Sequence, residues 1–532
     1  MTDPTDANPP LASRHYTRWP VVEGYPERLS YRPGEEVAVQ CSSRSGRFTA
    51  EVTRVGGKRQ VVWSEQGITG TEREVPERAW ATGCDWPVSF TVPIDPSWPS
   101  GFYEIDLVAE DLADGEDERR RSSQAFFVVQ AAPEAPAPAL IVLASNTYNA
   151  YNQWGGHCLY SGADRVSFSR PFERGYVRRP AAPDEADYDG RVGSVEVEPD
   201  EEHRRLPAYL REHEYPLWCA SGGWHSWERR FVRWAETAGV ALDYAVSSDL
   251  DLHPEVLDGH RLLLSVGHDE YWSWGMRDSV DAFVDGGGSW AIFSGNTSFW
   301  QVRYEDDGRT MVCHKMRAHK DDPVARTDDR RFLTTIWSAP AVGRPESLST
   351  GLSFTRGGYA RVGEATPRSS GGYSVHRPEH PFFAGTGLRY GDVLGGNDRI
   401  VAYEVDGCEL TMVNGLPVPT YADGTPAGFE VLGTAPARLL SITAEHCEAP
   451  VALWGSTQPP GDLEAVAMVL FGDASPANLA KVAHGHAVMG TFERGRGRVF
   501  NAGTTDWSFG LDRDPLVQQV TLNVLRELGG LG

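Results

Sequence analysis

The chain has no long apolar run. Nowhere do its 532 residues approach the ~18 uninterrupted apolar positions of a membrane-spanning helix, so no membrane contact is expected. The opening MTDPTDANPPLASRH is polar and proline-rich and carries no apolar secretory core, so residues 1–15 read as a disordered leader. Positive charge is also short. Against 74 Asp and Glu there are 50 Lys and Arg, a formal net charge of −24. So acidic a chain repels phosphate backbones, which sets nucleic acid aside as a partner. Cysteines number seven, an odd count without CxxC pairs. Reduced thiols and a cytoplasmic protein fit that pattern better than a disulfide framework does. Cys41 and Cys84 could still pair within the N-terminal region. Several catalytic signatures are missing: no G-x-S-x-G elbow, no HExxH and no phosphate-cradling P-loop.

What is present is globular. Apolar residues make up 40% and aromatics 11%, enough for two or more domains around a large core. Short alternating runs fill the N-terminal part: EVAVQ from Glu36, FTAEVTRV from Phe48, VSFTVP from Val88 and FYEIDLVA from Phe102. Turn residues such as Arg32-Pro33-Gly34 and Gly56-Gly57 separate them. This spacing predicts an immunoglobulin-like β-sandwich over residues 16–130. It has no histidine from Tyr25 to Gln130, so its expected role is that of a scaffold or lid. AAPEAPAP, residues 131–138, is a stiff linker. From Ala139 to the C-terminus the pattern becomes α/β with a mostly parallel sheet.

The centre of that second domain is RLLLSVGHDEYWSW, Arg261 to Trp274. Leu262 to Val266 reads as a buried strand, Gly267 as a sharp turn, and Ser273 as the cap of a helix carrying Met276, Val280, Phe283 and Val284 on one face. Ser289 to Phe293 is the next buried strand, which completes a βαβ unit. Ser226 is expected to cap an earlier helix, and Asp514-Pro515 to start the last one. Further parallel strands are expected at Val451–Trp454, Ala465–Leu470 and Ala487–Phe492. In open α/β sheets ligands bind beyond the carboxyl ends of strands. Four expected strand ends carry polar and aromatic residues: Tyr148 to Trp154, His268 to Trp272, Gly295 to Trp300, and Thr504 to Trp507. They predict one pocket.

The strand-to-helix turn that would hold a nucleophilic cysteine holds Gly267-His268-Asp269-Glu270 instead. The remaining chemistry is an oxygen-rich metal site, with Glu270 as carboxylate ligand and phenolates from elsewhere. Hard oxygen donors suit hard cations, and phenolate favours ferric iron over zinc. Such an ion acts as a Lewis acid on a carbonyl and acidifies water.

The chain resembles the large (beta) subunit of N,N-dimethylformamidase and its relatives over about 500 of its residues. The resemblance is carried by SYRPGEEV (Ser30 to Val37), WPSGFY (Trp98 to Tyr103), NTYNAYNQWGGHCLY (Asn146 to Tyr160), VGHDEYWSWGMRD (Val266 to Asp278), FSGNTSFWQVR (Phe293 to Arg303), VAYEVDG (Val401 to Gly407) and FNAGTTDWSFGL (Phe500 to Leu511). It implies a sandwich joined to a glutamine-amidotransferase-like α/β domain. It also implies amide hydrolysis at a mononuclear iron held by two tyrosines and a glutamate. Carried over residue by residue, Glu270 is the glutamate ligand and His268 the histidine beside it. Tyr148, rather than Tyr151, is the first tyrosine; Tyr188, with Tyr176 as competitor, is the second. Asn296, Lys315 and Glu404 match the polar positions around the pocket, which Tyr151, Asn152, Trp154 and Tyr271 are expected to line. The substrate would be a small N-substituted amide. A small subunit or a second copy is a possible partner, although no small subunit is fused to this chain and it is shorter than the formamidase. Two other readings stay open: a carbohydrate- or peptide-binding module without catalysis, and other C–N bond chemistry in a biosynthetic pathway.

Overall fold

The computed structural model describes residues 20–179, 215–360, 369–441 and 461–531. Within these the chain is mixed α/β with a β-rich N-terminal region. The N-terminal strands form a three-stranded and a five-stranded sheet. Alternation along them buries Val37, Val39, Val52, Ile105, Leu107 and Phe127 in one core. Cys41 is buried in that core and Cys84 in a smaller cluster with Tyr25, Trp86 and Trp154; both are free thiols and do not pair. Among the described residues no helix is long and apolar enough to cross a membrane.

A nine-stranded sheet organises the rest. Its first five strands run in the order Leu242–Val246, Ala139–Leu143, Leu262–His268, Ser289–Gly295 and Gly497–Asn501, all parallel. The period of two is visible in the packing. Ile141, Leu143, Leu264, Val266 and Phe293 face one core, shared with Phe231 and Val232 of the helix Glu228–Thr237 and with Val517, Val520 and Val524 of the helix Pro515–Gly529. Leu140, Val142, Leu263, Trp290 and Ile292 face the other, against Met276, Val280 and Val284 of the helix Trp274–Asp285. Both faces are covered, as a parallel sheet requires. Ser273 caps the helix Trp274–Asp285 by accepting from the Met276 N–H, and Asp514 caps the last helix. Ser226 caps nothing; its hydroxyl accepts from Arg179, and Trp227 occupies the N-cap position.

Two expectations for the C-terminal part are corrected. Ala465–Leu470 lies in the helix Asp462–Phe471, not in a strand; a short apolar run is compatible with either element. The strand holding Ala487–Phe492 runs antiparallel to Gly497–Asn501, because Gly495, at φ 55°, turns the chain straight back. Antiparallel strands Glu430–Ala437, Tyr373–Val375 and Val393–Leu394 then extend the sheet. Val451–Trp454 lies outside the described residues.

The N-terminal sheets dock on the helical face. Phe102 stacks on Trp224 at 4.1 Å. Arg54 and the Gly57 N–H converge on Glu236, the latter at 2.7 Å. Trp154 Nε1 donates to Glu23 at 2.8 Å.

A candidate active site around Glu270

The strand Leu262–His268 ends by delivering His268, and Glu270 follows two residues later. Gly267 lies inside this strand, paired with Ser294, in a left-handed conformation that favours glycine. Its φ is 81°, and a Cβ there would lie 2.4 Å from the Trp227 side chain. Glu270 is fixed through its backbone: its N–H donates to Thr147 Oγ1 at 3.0 Å and its carbonyl accepts from the Trp300 N–H at 2.9 Å.

Its carboxylate is the focus of the site. Tyr151 Oη lies 3.0 Å from Oε2, and Tyr160 Oη lies 2.7 Å from Oε1 and 2.9 Å from Oε2. Trp300 Nε1 donates to Oε1 at 2.7 Å. The two phenol oxygens are 2.8 Å apart, and their rings stack at 4.3 Å. Burial, followed by the Glu270 charge, pushes both phenols well above their usual pKa. Burial also raises Glu270 itself. Three hard oxygen donors thus converge on one buried point. Among the described residues no group of three or more His, Cys, Asp or Glu is placed to hold a metal, so any donor set here depends on the phenols.

On the other side of Glu270 stands a proton-carrying pair. His268 Nδ1 is 2.8 Å from the Ser221 carbonyl oxygen, which can only accept, so Nδ1 carries hydrogen. Nε2 therefore holds the exchangeable proton. It lies 2.6 Å from Glu404 Oε2 and 3.5 Å from Glu270 Oε2. Burial disfavours the imidazolium, but the two carboxylates outweigh it and hold His268 at about 9. Glu404 moves the opposite way: the His268 charge offsets its burial and holds it below the usual carboxylate range. Asn296 Nδ2 donates to Glu404 Oε2 at 2.9 Å. Lys315 Nζ sits 3.1 Å from the centre of the Tyr160 ring without a hydrogen-bond partner, and burial pushes it down to about 8. Asn296, Lys315 and Tyr403 hold left-handed φ angles of 51°, 53° and 41°. For residues other than glycine such angles cost free energy and concentrate at functional sites.

Of the residues expected from sequence, His268, Glu270, Asn296, Lys315, Glu404 and Tyr151 come together. Tyr271 borders the group, its ring 5.4 Å from Lys315 Nζ. Tyr148 does not face Glu270; its hydroxyl donates to Glu228 at 2.6 Å. The reason is local. Residues Ser145–Tyr151 form a helix rather than a strand end, and within it the Tyr148 hydroxyl is taken by Glu228 while the Tyr151 hydroxyl reaches Glu270. Asn152, past that helix, donates to the Pro171 carbonyl, and Trp154 turns away to Glu23. Neither lines the site. Tyr176 is buried beside Phe172, with its hydroxyl unpartnered, and makes no contact with Glu270. Tyr188 lies outside the described residues. Tyr160 and Tyr403 were not among the expected site residues, and Trp300 was expected only as the end of the pocket-forming stretch Gly295 to Trp300. The signal for Tyr160 and Trp300 was present: Tyr160 closes the NTYNAYNQWGGHCLY motif and Trp300 lies in FSGNTSFWQVR.

A family model described as N,N-dimethylformamidase beta subunit-like, C-terminal, matches residues 49–520. The chain is also similar to the N,N-dimethylformamidase beta subunit of an Alcaligenes species, 22% identical over 286 residues, which is 52% of this chain and 34% of that one. The match thus spans about a third of the relative's length.

Proposed function

Because the chain belongs to the N,N-dimethylformamidase beta subunit-like family, we propose that it is an amidohydrolase that cleaves a C–N bond of a small amide with metal-activated water. The observation that carries the reading is that Glu270 joins two half-sites. On one side it receives Tyr151 and Tyr160; on the other it borders the His268–Glu404 pair.

Tyr151, Tyr160 and Glu270 are the residues that would hold a mononuclear ferric iron. The fit rests on donor chemistry: two phenols and a carboxylate, all hard, already within hydrogen-bonding distance of one another. A bound ferric ion would supply Lewis acidity to the amide carbonyl and to water. The protein's own groups do the rest. Glu404 accepts a proton from the attacking water, and His268 passes the Nε2 proton to the leaving nitrogen, which otherwise departs poorly. The Ser221 carbonyl keeps the ring oriented for that transfer. Lys315, with no hydrogen-bond partner, is free to donate to developing negative charge on the substrate oxygen. The stacked Tyr151 and Tyr160 rings and Trp300 exclude bulk water from the carboxylate.

We read the N-terminal sheets as an immunoglobulin-like sandwich over residues 16–130, 131–138 as a linker and 139–532 as a glutamine-amidotransferase-like catalytic domain. Support comes from the two-sheet N-terminal core and from the parallel strands covered on both faces. The relative's name marks it as one subunit of a larger enzyme, and we carry a partner subunit over as part of the proposal. The test is direct. Purified chain should contain iron, show tyrosinate charge-transfer absorption in the visible and release amine from a panel of small amides. Iron-free protein that still hydrolyses amides at full rate would reject the metal role. Iron-loaded protein inert on every amide, alone and with its partner subunit, would reject the reaction.

A further inference from the structure

Tyr160 sits on a stretch, Asn152 to Asp164, that is neither helix nor strand. A functional side chain on such a stretch keeps its geometry only where packing and hydrogen bonds from outside hold it. Part of that hold comes from the N-terminal region. The short helix Ala79–Thr82 lies between the N-terminal strands Arg59–Thr69 and Val88–Pro93. It is tied to the catalytic part by the Cys84 N–H, which donates to the Ser169 carbonyl at 2.9 Å.

From this helix a continuous run of contacts leads to Tyr160. A Cβ on Gly155 would stand 3.0 Å from the Ala79 Cβ and from the Trp80 nitrogen, and one on Gly156 would stand 3.0 Å from the Trp80 ring. The loop backbone therefore lies directly against the helix. The His157 ring meets the Trp80 indole edge-on, with centroids 4.6 Å apart. His157 Nδ1 lies 2.6 Å from the Ser161 carbonyl oxygen, which can only accept, so Nδ1 donates. Ser161 follows Tyr160 directly, and its N–H closes the turn on the Cys158 carbonyl at 3.1 Å. The Leu159 N–H ties the same turn to the Ala150 carbonyl at 3.0 Å. Trp80 and His157 are both half-buried. Without the indole, water would reach that face of the His157 ring and compete for the Ser161 carbonyl.

We propose that Trp80 is a positioning residue of the site. Acting through His157 and the Ser161 carbonyl, it holds the Tyr160 hydroxyl on Glu270, 2.7 Å from Oε1. The N-terminal region is then a working part of the site as well as a support. This rests on the amide-hydrolase reading for the metal role of Tyr160 and for nothing else.

Hydrogen exchange on the metal-free full chain tests these contacts without turnover. In Trp80→Ala the amides of residues 157–163 should exchange about tenfold faster, while the strands Leu262–His268 and Ser289–Gly295 keep wild-type protection. His157→Phe keeps a ring against Trp80 and loses the bond to Ser161. It should give the same acceleration, and the double variant no more than either, because both cut one run of contacts. Trp63→Ala is the control. Trp63 stacks on Phe90 at 5.8 Å against the N-terminal core, so its loss should lower the melting temperature and leave residues 157–163 at wild-type exchange. With iron supplied, Trp80→Ala should bind the metal about tenfold more weakly and shift the tyrosinate absorption, and Trp80→Phe should recover most of both. If Trp80→Ala does not fold, His157→Phe, a change on a half-buried loop residue, decides by itself. Wild-type exchange at residues 157–163 in both variants, or equal acceleration in Trp63→Ala, would overturn the assignment. So would wild-type iron affinity and absorption in Trp80→Ala. A wild-type chain that takes up no iron defeats the metal reading alone, because the exchange comparison still decides what holds Tyr160.

Discussion

Tyr160 Oη lies within 2.9 Å of both carboxylate oxygens of Glu270. Tyr151 and Tyr160 bring one hydroxyl proton each, and Trp300 an N–H, to the two Glu270 oxygens. A multivalent cation at the centre would displace the two phenol protons and be held by the three hard oxygens left behind. The relationship selects Tyr151 and Tyr160 as the tyrosines to test for the proposed metal role.

Tyr160→Phe and Tyr151→Phe should each lower iron content and bleach or shift the visible absorption, because the ring stays and only the oxygen leaves. Tyr148→Phe should leave the spectrum unchanged and lower the melting temperature instead. It removes a buried hydrogen bond to Glu228, worth about 1 kcal/mol. Metal analysis and a visible spectrum on the three variants check this; a spectrum altered by Tyr148→Phe alone would reassign the ligand.

Glu404→Gln separates proton transfer from metal binding. Its oxygen stays near Asn296, but it can no longer take a proton or hold the His268 imidazolium. Iron content should stay within experimental error of the wild type, while kcat falls about 10²–10⁴-fold, the range for a lost general base. Paired metal and rate measurements decide it; loss of iron together with rate would move Glu404 into the ligand set.

Gly267→Ala should destabilise the fold. The new Cβ would sit 2.4 Å from Trp227 in a backbone conformation at φ 81°. Trp227 Nε1 donates to Asp506 at 2.9 Å and its side chain is buried, so it has little room to yield. A loss of about 2–4 kcal/mol is expected, measurable by denaturant unfolding, with the site collapsing before the N-terminal sheets. Unchanged stability would mean that the backbone at Gly267 relaxes.

The parts legible in the sequence were those set by short-range physics. Leu262 to Val266 and the Ser273 cap follow from a continuous apolar run and a capping hydroxyl, and both stand in the fold, whereas Gly267, expected as a sharp turn, lies within the strand, which pairs on through His268. His268 and Glu270 could be placed together because they leave one strand end two residues apart. Tyr160 could not be found this way. It reaches Glu270 only because the chain ends a helix at Tyr151 and folds back through Gly155 and Gly156, at φ 85° and 129°, so that two tyrosines nine positions apart stack. The eight residues between them satisfy unrelated demands, such as the docking of Trp154 on Glu23. Glu404 is 134 residues from Glu270 and is delivered by a strand, Tyr403–Gly407, whose register nothing nearby in the sequence specifies.

The same docking predicts how stability depends on pH. Glu23, on an N-terminal strand, accepts from Trp154 Nε1 at 2.8 Å. Burial raises its pKa from the ordinary carboxylate value to about 7, a shift that the Trp154 hydrogen bond and the Arg44 charge only partly oppose. Glu228 and Asp406 are pushed up to about 8, again mainly by burial. A carboxyl raised in the folded state binds its proton more tightly there than in the unfolded chain. Between about pH 4.5 and 8 the folded protein therefore holds the extra protons, and stability must fall as pH rises through this window. The melting temperature should be highest near pH 5 and decline steadily toward pH 8. Glu23→Gln isolates one contribution, because the amide oxygen still accepts from Trp154 and cannot ionise. The variant should match the wild type at pH 5 and exceed it by about 1–2 kcal/mol at pH 8. Thermal melts of both proteins across the window check the sign. A wild-type melting temperature that rises from pH 5 to 8 would show that these carboxyls are ionised in the folded state, with water reaching the interface between the N-terminal sheets and the helix that carries Tyr151.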